Sequence, residues 1–259
     1  MRLNIQESGK GPCLVLIHGW AMNNLVWGDW LSDLEKSYRV ICVELPGHGD
    51  SDYSQRWTMT QLLEAMAAQL PSRCSVLGWS LGGMVALAYS GKYPQRVNRL
   101  ILLASSAKFV QSNQWRCAQS EETLKAFSRG LLSRPLITIK RFIKLQTQGL
   151  ASSKRLNGFL SSIVKVSDKG ASEGLFSGLD VLCHGDFREL LKNLTCPMLM
   201  VLGEKDQLVP VEVAEQSLHI NPNIDTLTIE GATHIPFLSH RSDVSQALDQ
   251  FMLPVERTS

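Results

Sequence analysis

The chain has 259 residues, 44% of them hydrophobic and 19% charged, with a formal net charge of +2 at pH 7; this excludes a disordered chain and fits one large core with room for a modest insertion. No repeat or low-complexity tract stands out, no uncharged apolar run reaches the ~18 residues of a membrane span, and the N-terminal stretch lacks the apolar segment of a secretory signal. Six cysteines occur without a CxxC or CxxxC pair, which argues against structural zinc or a redox dithiol and, with the missing signal, makes the cytoplasm the expected compartment.

In chain order, the first buried-strand run is 13–18, ending in His18-Gly19-Trp20. A second strand, 38–44, leads into Pro46-Gly47-His48-Gly49-Asp50-Ser51, which reads as a tight turn. It is not a phosphate loop, because no G-x-x-x-x-G-K-[ST] lies nearby and no G-x-G-x-x-G opens a helix. A helix over 60–69 precedes a strand at 74–78 and a helix at 81–91. Further strands are expected at 97–104, 197–203 and 225–230, and a last helix at about 243–252. Short apolar runs rich in Val, Ile and Leu, alternating with amphipathic stretches, predict a mostly parallel α/β sheet covered by helices on both faces.

That rhythm breaks between 107 and 182, where only helical periodicity is found. Leu124, Phe127 and Leu131 fall on one helix face, and after Pro135 the residues Leu136, Ile139 and Ile143 repeat the spacing with Phe142 beside them. Lys140, Arg141 and Lys144 project from the opposite side of that second helix. The segment is expected to be a helical lid inserted into a core made of residues 1–106 and 183–259. Between Lys108 and Lys169 the chain carries twelve Lys/Arg against three Asp/Glu, whereas the remainder is acidic. Such a run is either a solvated helical surface or a landing place for an acidic partner.

The chemistry is concentrated in Gly78-Trp79-Ser80-Leu81-Gly82, a G-x-S-x-G placed between a strand and a helix. A serine on so sharp a turn projects its hydroxyl above the sheet edge, and glycines two residues either side let strand and helix nearly touch. Serine needs an adjacent base to act as a nucleophile. His234, in Gly231-Ala232-Thr233-His234-Ile235-Pro236, sits just past the last predicted strand, at the same carboxyl edge. The third member must be a carboxylate between them in chain order, again at a strand end. Asp206 satisfies both conditions, with Glu204 as its rival and Asp180 and Asp186 in or beside the lid. The main-chain N–H groups of Leu81 and Trp20 are the expected oxyanion donors. His18 is expected to brace its turn rather than titrate. Trp20 and Trp79 either wall an acyl pocket or belong to the core.

With H-G-W, P-G-H-G-x-S, G-W-S-L-G-G, the G-x-x-D loop and G-A-T-H-x-P in order, the chain resembles the α/β-hydrolase superfamily over essentially its whole length. Within it, Arg141-Phe142-Ile143-Lys144-Leu145-Gln146-Thr147-Gln148-Gly149 is similar to the R-F-L-x-L-Q-T-x-G lid stretch of the pimeloyl-acyl-carrier-protein methyl ester esterases of biotin synthesis. The resemblance implies catalysis by Ser80, Asp206 and His234, and substrate contacts at Trp20, Ser80, Leu81, Phe142, Ile143, Lys144, Leu145, Gln146 and His234. It implies a carboxylesterase acting on the carrier-linked methyl ester, an acidic carrier docked on Lys140, Arg141, Lys144, Lys154 and Arg155, and no metal or other cofactor. Neither a nucleic acid nor a membrane is expected as partner, and the chain is expected to act as a monomer. A generic carboxylesterase or a C–C bond hydrolase would share the catalytic residues without needing a basic lid, and a non-catalytic receptor on the same scaffold would not need all three.

Overall fold

The computed structural model describes residues 1–51, 55–164 and 173–253. In chain order its elements are β1 (Ile5–Ser8), β2 (Cys13–Ile17), α1 (Gly28–Leu34), β3 (Arg39–Val43), α2 (Met59–Gln69), β4 (Cys74–Trp79), α3 (Leu81–Lys92) and β5 (Val97–Leu103). Then follow α4 (Glu121–Ser133), α5 (Pro135–Thr147), α6 (Ser153–Ile163), α7 (Glu173–His184), α8 (Arg188–Asn193), β6 (Met198–Gly203), α9 (Glu212–Ile220), β7 (Ile224–Ile229), α10 (Pro236–Ser239) and α11 (Arg241–Met252). The strands form one sheet in the order β1-β3-β2-β4-β5-β6-β7. Every neighbouring pair is parallel except β1 with β3. The expected parallel α/β architecture is therefore present, with one antiparallel edge strand added. Among the described residues no helix is long and apolar enough to cross a membrane.

Burial explains why the strands sit where they do. All six residues of β4 and of β6 are buried, as required of strands covered on both faces. Helix α3 is buried from Leu81 to Ser90, so it lies directly on the sheet rather than on the surface. Two small residues allow this. A Cβ on Gly82 would overlap the carbonyl oxygen of Ile17 and lie 2.6 Å from that of His18, while one on Gly83 would strike the Ser105 hydroxyl. Both main-chain carbonyls belong to the end of β2 and cannot turn aside. Gly82→Ala is therefore expected to destabilise the fold by about 3 kcal/mol, read as a lowered midpoint in a denaturant melt.

Helices α4 to α7 lie between β5 and β6 in sequence, in the segment expected to be the lid. Ser120 caps α4 by accepting the amide of Thr123 at 3.1 Å, Glu121 and Glu122 occupy its first turn, and Pro135 opens α5. Leu131 on α4 and Ile139 and Ile143 on α5 are buried on the predicted faces, with Leu124, Phe127 and Leu136 half-buried, and α6 buries Leu156, Leu160 and Ile163. Lys140, Arg141, Lys144, Lys154 and Arg155 are exposed. Lys165, Asp168 and Lys169 of the basic run lie outside the described residues. The neck of the insertion is closed a few residues beyond 182, where Phe187 donates its amide to the Ala107 carbonyl at 2.9 Å and Lys108 pairs with Asp186 at 2.8 Å. The guanidinium of Arg188, with the Lys108 ammonium adding to it, holds Asp186 well below the usual carboxylate range.

Candidate active site

Ser80 is the single residue between the end of β4 and the start of α3. Its backbone has φ 56° and ψ −118°, a conformation that costs a side-chain-bearing residue strain and persists only when its surroundings fix it. Hydrogen bonds do so, including one at 3.4 Å from the Met84 amide to the Ser80 carbonyl. Its amide donates to the Leu103 carbonyl at 3.0 Å, and its carbonyl accepts from the Gly83 amide at 2.9 Å and from the Ser105 hydroxyl at 2.6 Å. Glycine is required two residues before the serine, because a Cβ on Gly78 would collide with the main chain of Gly82 and Gly83.

The loop after β7 brings His234 to this turn. The ring is fully buried, with Nε2 2.9 Å from Ser80 Oγ and Nδ1 2.8 Å from Asp206 Oδ2. Asp206, on the loop after β6, is itself fixed, since its Oδ1 accepts the amides of Leu208 at 2.8 Å and Val209 at 3.0 Å. A carboxylate can only accept, so it selects the Nδ1–H tautomer and leaves the Nε2 lone pair free to take the serine proton. The rival carboxylates are engaged elsewhere: Glu204 accepts the Gly231 amide at 2.8 Å, Asp180 pairs with Arg56, and Asp186 closes the lid neck.

His18 does not reach the serine. It donates from Nδ1 to the Gly19 carbonyl at 2.8 Å and accepts the Leu45 amide on Nε2 at 3.1 Å, so it ties two loops together. Burial lowers its pKa to about 4, which keeps it neutral in this role. The turn it braces lies hard against Ser80, because a Cβ on Gly19 would stand 3.2 Å from Ser80 Cβ. Among the described residues neither the Trp20 nor the Leu81 amide has an acceptor. Both are thus unpaired, as the two amides expected to donate to an oxyanion must be.

A cavity of about 220 Å³ opens onto Ser80. Trp20, Leu124, Phe127, Phe142, Leu145 and Leu179 give it apolar walls, with Gln119, Thr123 and Gln207 as its polar members. Trp20 is held upright by its indole N–H, which donates to the Leu175 carbonyl at 2.8 Å, and by edge contacts with Phe127 and Phe142. Trp79, the other tryptophan considered for the pocket, is instead core: it packs on Phe237 and donates to the His234 carbonyl at 2.8 Å. Of the lid stretch, Phe142 and Leu145 face the cavity, Lys144 points to solvent, and Ile143 and Gln146 are buried away from it. One feature had no sequence signal. The buried Glu44 carboxylate gathers the Asn24 and Asp50 amides and the Asn4 side chain, at 3.1, 2.6 and 2.8 Å, fixing the Pro46–Ser51 turn. Its position at the end of a strand run made it indistinguishable from an ordinary edge carboxylate.

Residues 12–241 match the family described as alpha/beta hydrolase fold. The chain belongs to the α/β-hydrolase family. Among the curated relatives of this α/β-hydrolase, the pimeloyl-[acyl-carrier protein] methyl ester esterase of Vibrio campbellii is 36% identical, the match covering 92% of this chain and 93% of that protein. The protein of the same description from Methylococcus capsulatus is 33% identical over 97% of this chain and 99% of its own length. Of solved structures, an esterase from Exiguobacterium antarcticum superimposes with a TM-score of 0.86 at 24% identity, covering 96% of this α/β-hydrolase and 94% of that chain. This last likeness is one of fold.

Proposed function

We propose that the chain is a serine carboxylesterase that hydrolyses the methyl ester of a pimeloyl group borne on acyl carrier protein, the reaction that serves biotin synthesis. The observation that carries the hydrolytic reading is the continuous line of hydrogen bonds Asp206–His234–Ser80 at the floor of an apolar cavity. The substrate reading is supported by relatives above 30% identity over nearly the whole chain that are described by that activity, among them those from Vibrio campbellii and Methylococcus capsulatus, and by the exposed cations of the lid segment.

In this mechanism His234 accepts the Ser80 proton as Oγ attacks the ester carbonyl, and the Trp20 and Leu81 amides stabilise the oxyanion. Collapse of the tetrahedral intermediate breaks the bond to methoxide, which leaves as methanol with the proton held on His234. Water, deprotonated by the same ring, then attacks the acyl-enzyme and releases the free acid, restoring Ser80. Asp206 stabilises the imidazolium in both halves without taking its proton. Both the methyl ester and the carrier thioester are open to serine attack, so selection rests on which carbonyl is delivered to Ser80. Trp20 and Phe142 hold the acyl chain by apolar contact. The enzyme works as a monomer in the cytoplasm, a setting in keeping with its six free thiols.

Lys140, Arg141 and Lys144 on α5, with Lys154 and Arg155 on α6, form the landing face for the acidic carrier. Direct assay of pimeloyl-carrier methyl ester is the test of substrate, with methanol release as the readout. Reversal of Lys140, Arg141 and Lys144 to Glu is expected to cut kcat/KM on that substrate by about 10- to 100-fold at low salt and less at high salt, while a short p-nitrophenyl ester is spared. Equal losses on both substrates would remove the docking role and favour a generic esterase.

A further inference from the structure

Among the described residues, one side-chain hydrogen bond joins the loop carrying His234 to the lid segment. Thr233, immediately before the histidine, is fully buried and donates its hydroxyl to the main-chain carbonyl of Gln146 at 2.7 Å. Gln146 stands in the last turn of α5, where carbonyls have no helical amide to accept. The following amides go elsewhere, that of Gln148 to Leu145 and that of Leu150 to Thr147. The side-chain amide of Gln146 is also buried and has no hydrogen-bond partner among the described residues. The Thr233 hydroxyl is thus the polar tie between this end of α5 and the core.

The neighbouring contacts show what the tie fixes. From the core side, Trp79 holds the His234 carbonyl; from the lid side, Thr233 holds the chain one residue earlier. The other catalytic loop has a matching arrangement, in which Gln119 donates to the Gln207 and Leu208 carbonyls at 2.9 and 3.0 Å and the Leu208 amide in turn donates to Asp206. The lid segment is therefore bonded to both of the loops that carry His234 and Asp206.

We propose that Thr233 is a positioning residue, whose hydroxyl locks the His234 loop to α5 and so makes the lid part of the frame that holds the imidazole against Ser80. The proposal rests on the reading of Ser80 as nucleophile and His234 as its base. Without the hydroxyl, the Gln146 carbonyl is left buried and unpaired, and helix and loop lose their common reference. Proton transfer at a 2.9 Å contact is sensitive to displacements well under the size of an atom. The loss should therefore appear in kcat rather than in binding.

Thr233→Val keeps the shape and removes the hydroxyl; Thr233→Ser keeps the hydroxyl and removes the methyl; Thr233→Ala removes both. With a short p-nitrophenyl ester, Thr233→Val and Thr233→Ala are expected to lower kcat by about tenfold with KM changed less than about twofold, while Thr233→Ser stays within about twofold of the parent. Thermal melts of all three variants separate lost fold from lost rate. Parental kcat in the folded Val or Ala variant overturns the proposal, as does a Ser variant as slow as Ala. Ser80→Ala is assayed beside them. Activity surviving in that variant would instead overturn the nucleophile assignment, so the two failures are distinct.

Discussion

Ser80→Ala is expected to lower hydrolysis of a short p-nitrophenyl ester by roughly 10⁵- to 10⁶-fold, with little change in the melting curve. The two halves of this expectation come from different features of the turn. Among the described residues the hydroxyl oxygen makes one hydrogen bond, to His234 Nε2 at 2.9 Å, and in the proposed mechanism it supplies the attacking atom, which nothing else in the cavity replaces. The fold of the turn depends on main-chain groups instead: the Ser80 amide and carbonyl bonded to Leu103, Gly83 and Ser105. Alanine keeps the Cβ and therefore the same positive-φ strain as serine. A fluorophosphonate probe should label the parent and leave the folded variant unlabelled. A folded Ala variant within tenfold of the parent would end the covalent mechanism.

Asp206→Asn should cost roughly 10³- to 10⁴-fold in kcat at neutral pH, and the loop dictates the reason. Oδ1 of Asp206 accepts two amides, from Leu208 and Val209, so an asparagine must put its carbonyl oxygen there. Its NH₂ then occupies the place of Oδ2, facing His234 Nδ1. Two donors cannot face each other, so the ring adopts the tautomer with its proton on Nε2, where the base must be free to accept from Ser80. The fold is unaffected and KM changes little. Nuclear magnetic resonance of the imidazole nitrogens should report the tautomer exchange directly. An Asn variant with the parent's tautomer and rate would show that the carboxylate does not orient the ring.

Much of this arrangement can be read from the residues themselves. Strands β2 and β6 are continuous apolar runs and β3, β4 and β5 are apolar over most of their length, which leaves little alternative to burial in a parallel sheet. Ser80 is announced by its two flanking glycines because they answer a local steric demand, the near-contact of Gly78 with Gly82 and Gly83. What escapes is whatever depends on distant partners. Strand β1, Ile5–Ser8, is short, half exposed and mixed in polarity, and becomes a strand by pairing with β3. Glu204 and Asp206 differ by two positions and only the fold gives the first to the Gly231 amide and the second to His234. The core position of Trp79, the burial of Gln146 and the cradle around Glu44 likewise follow from packing between segments far apart in sequence. The lid periodicity was legible for α4 and α5, whereas the neck near Ala107 and Phe187 is set by tertiary hydrogen bonds that no local pattern encodes.

The order in which the chain delivers its reactive groups has a consequence for the newborn protein. The serine and its bent turn are contributed by the first third of the polypeptide, while the histidine arrives after β7, an edge strand and the last to be synthesised. Until that strand docks beside β6, a nascent chain holds an alcohol with nothing to ionise it. Under the proposed mechanism a half-made copy is thus chemically silent toward the esters around it, and competence for hydrolysis waits for the loop that follows the last strand.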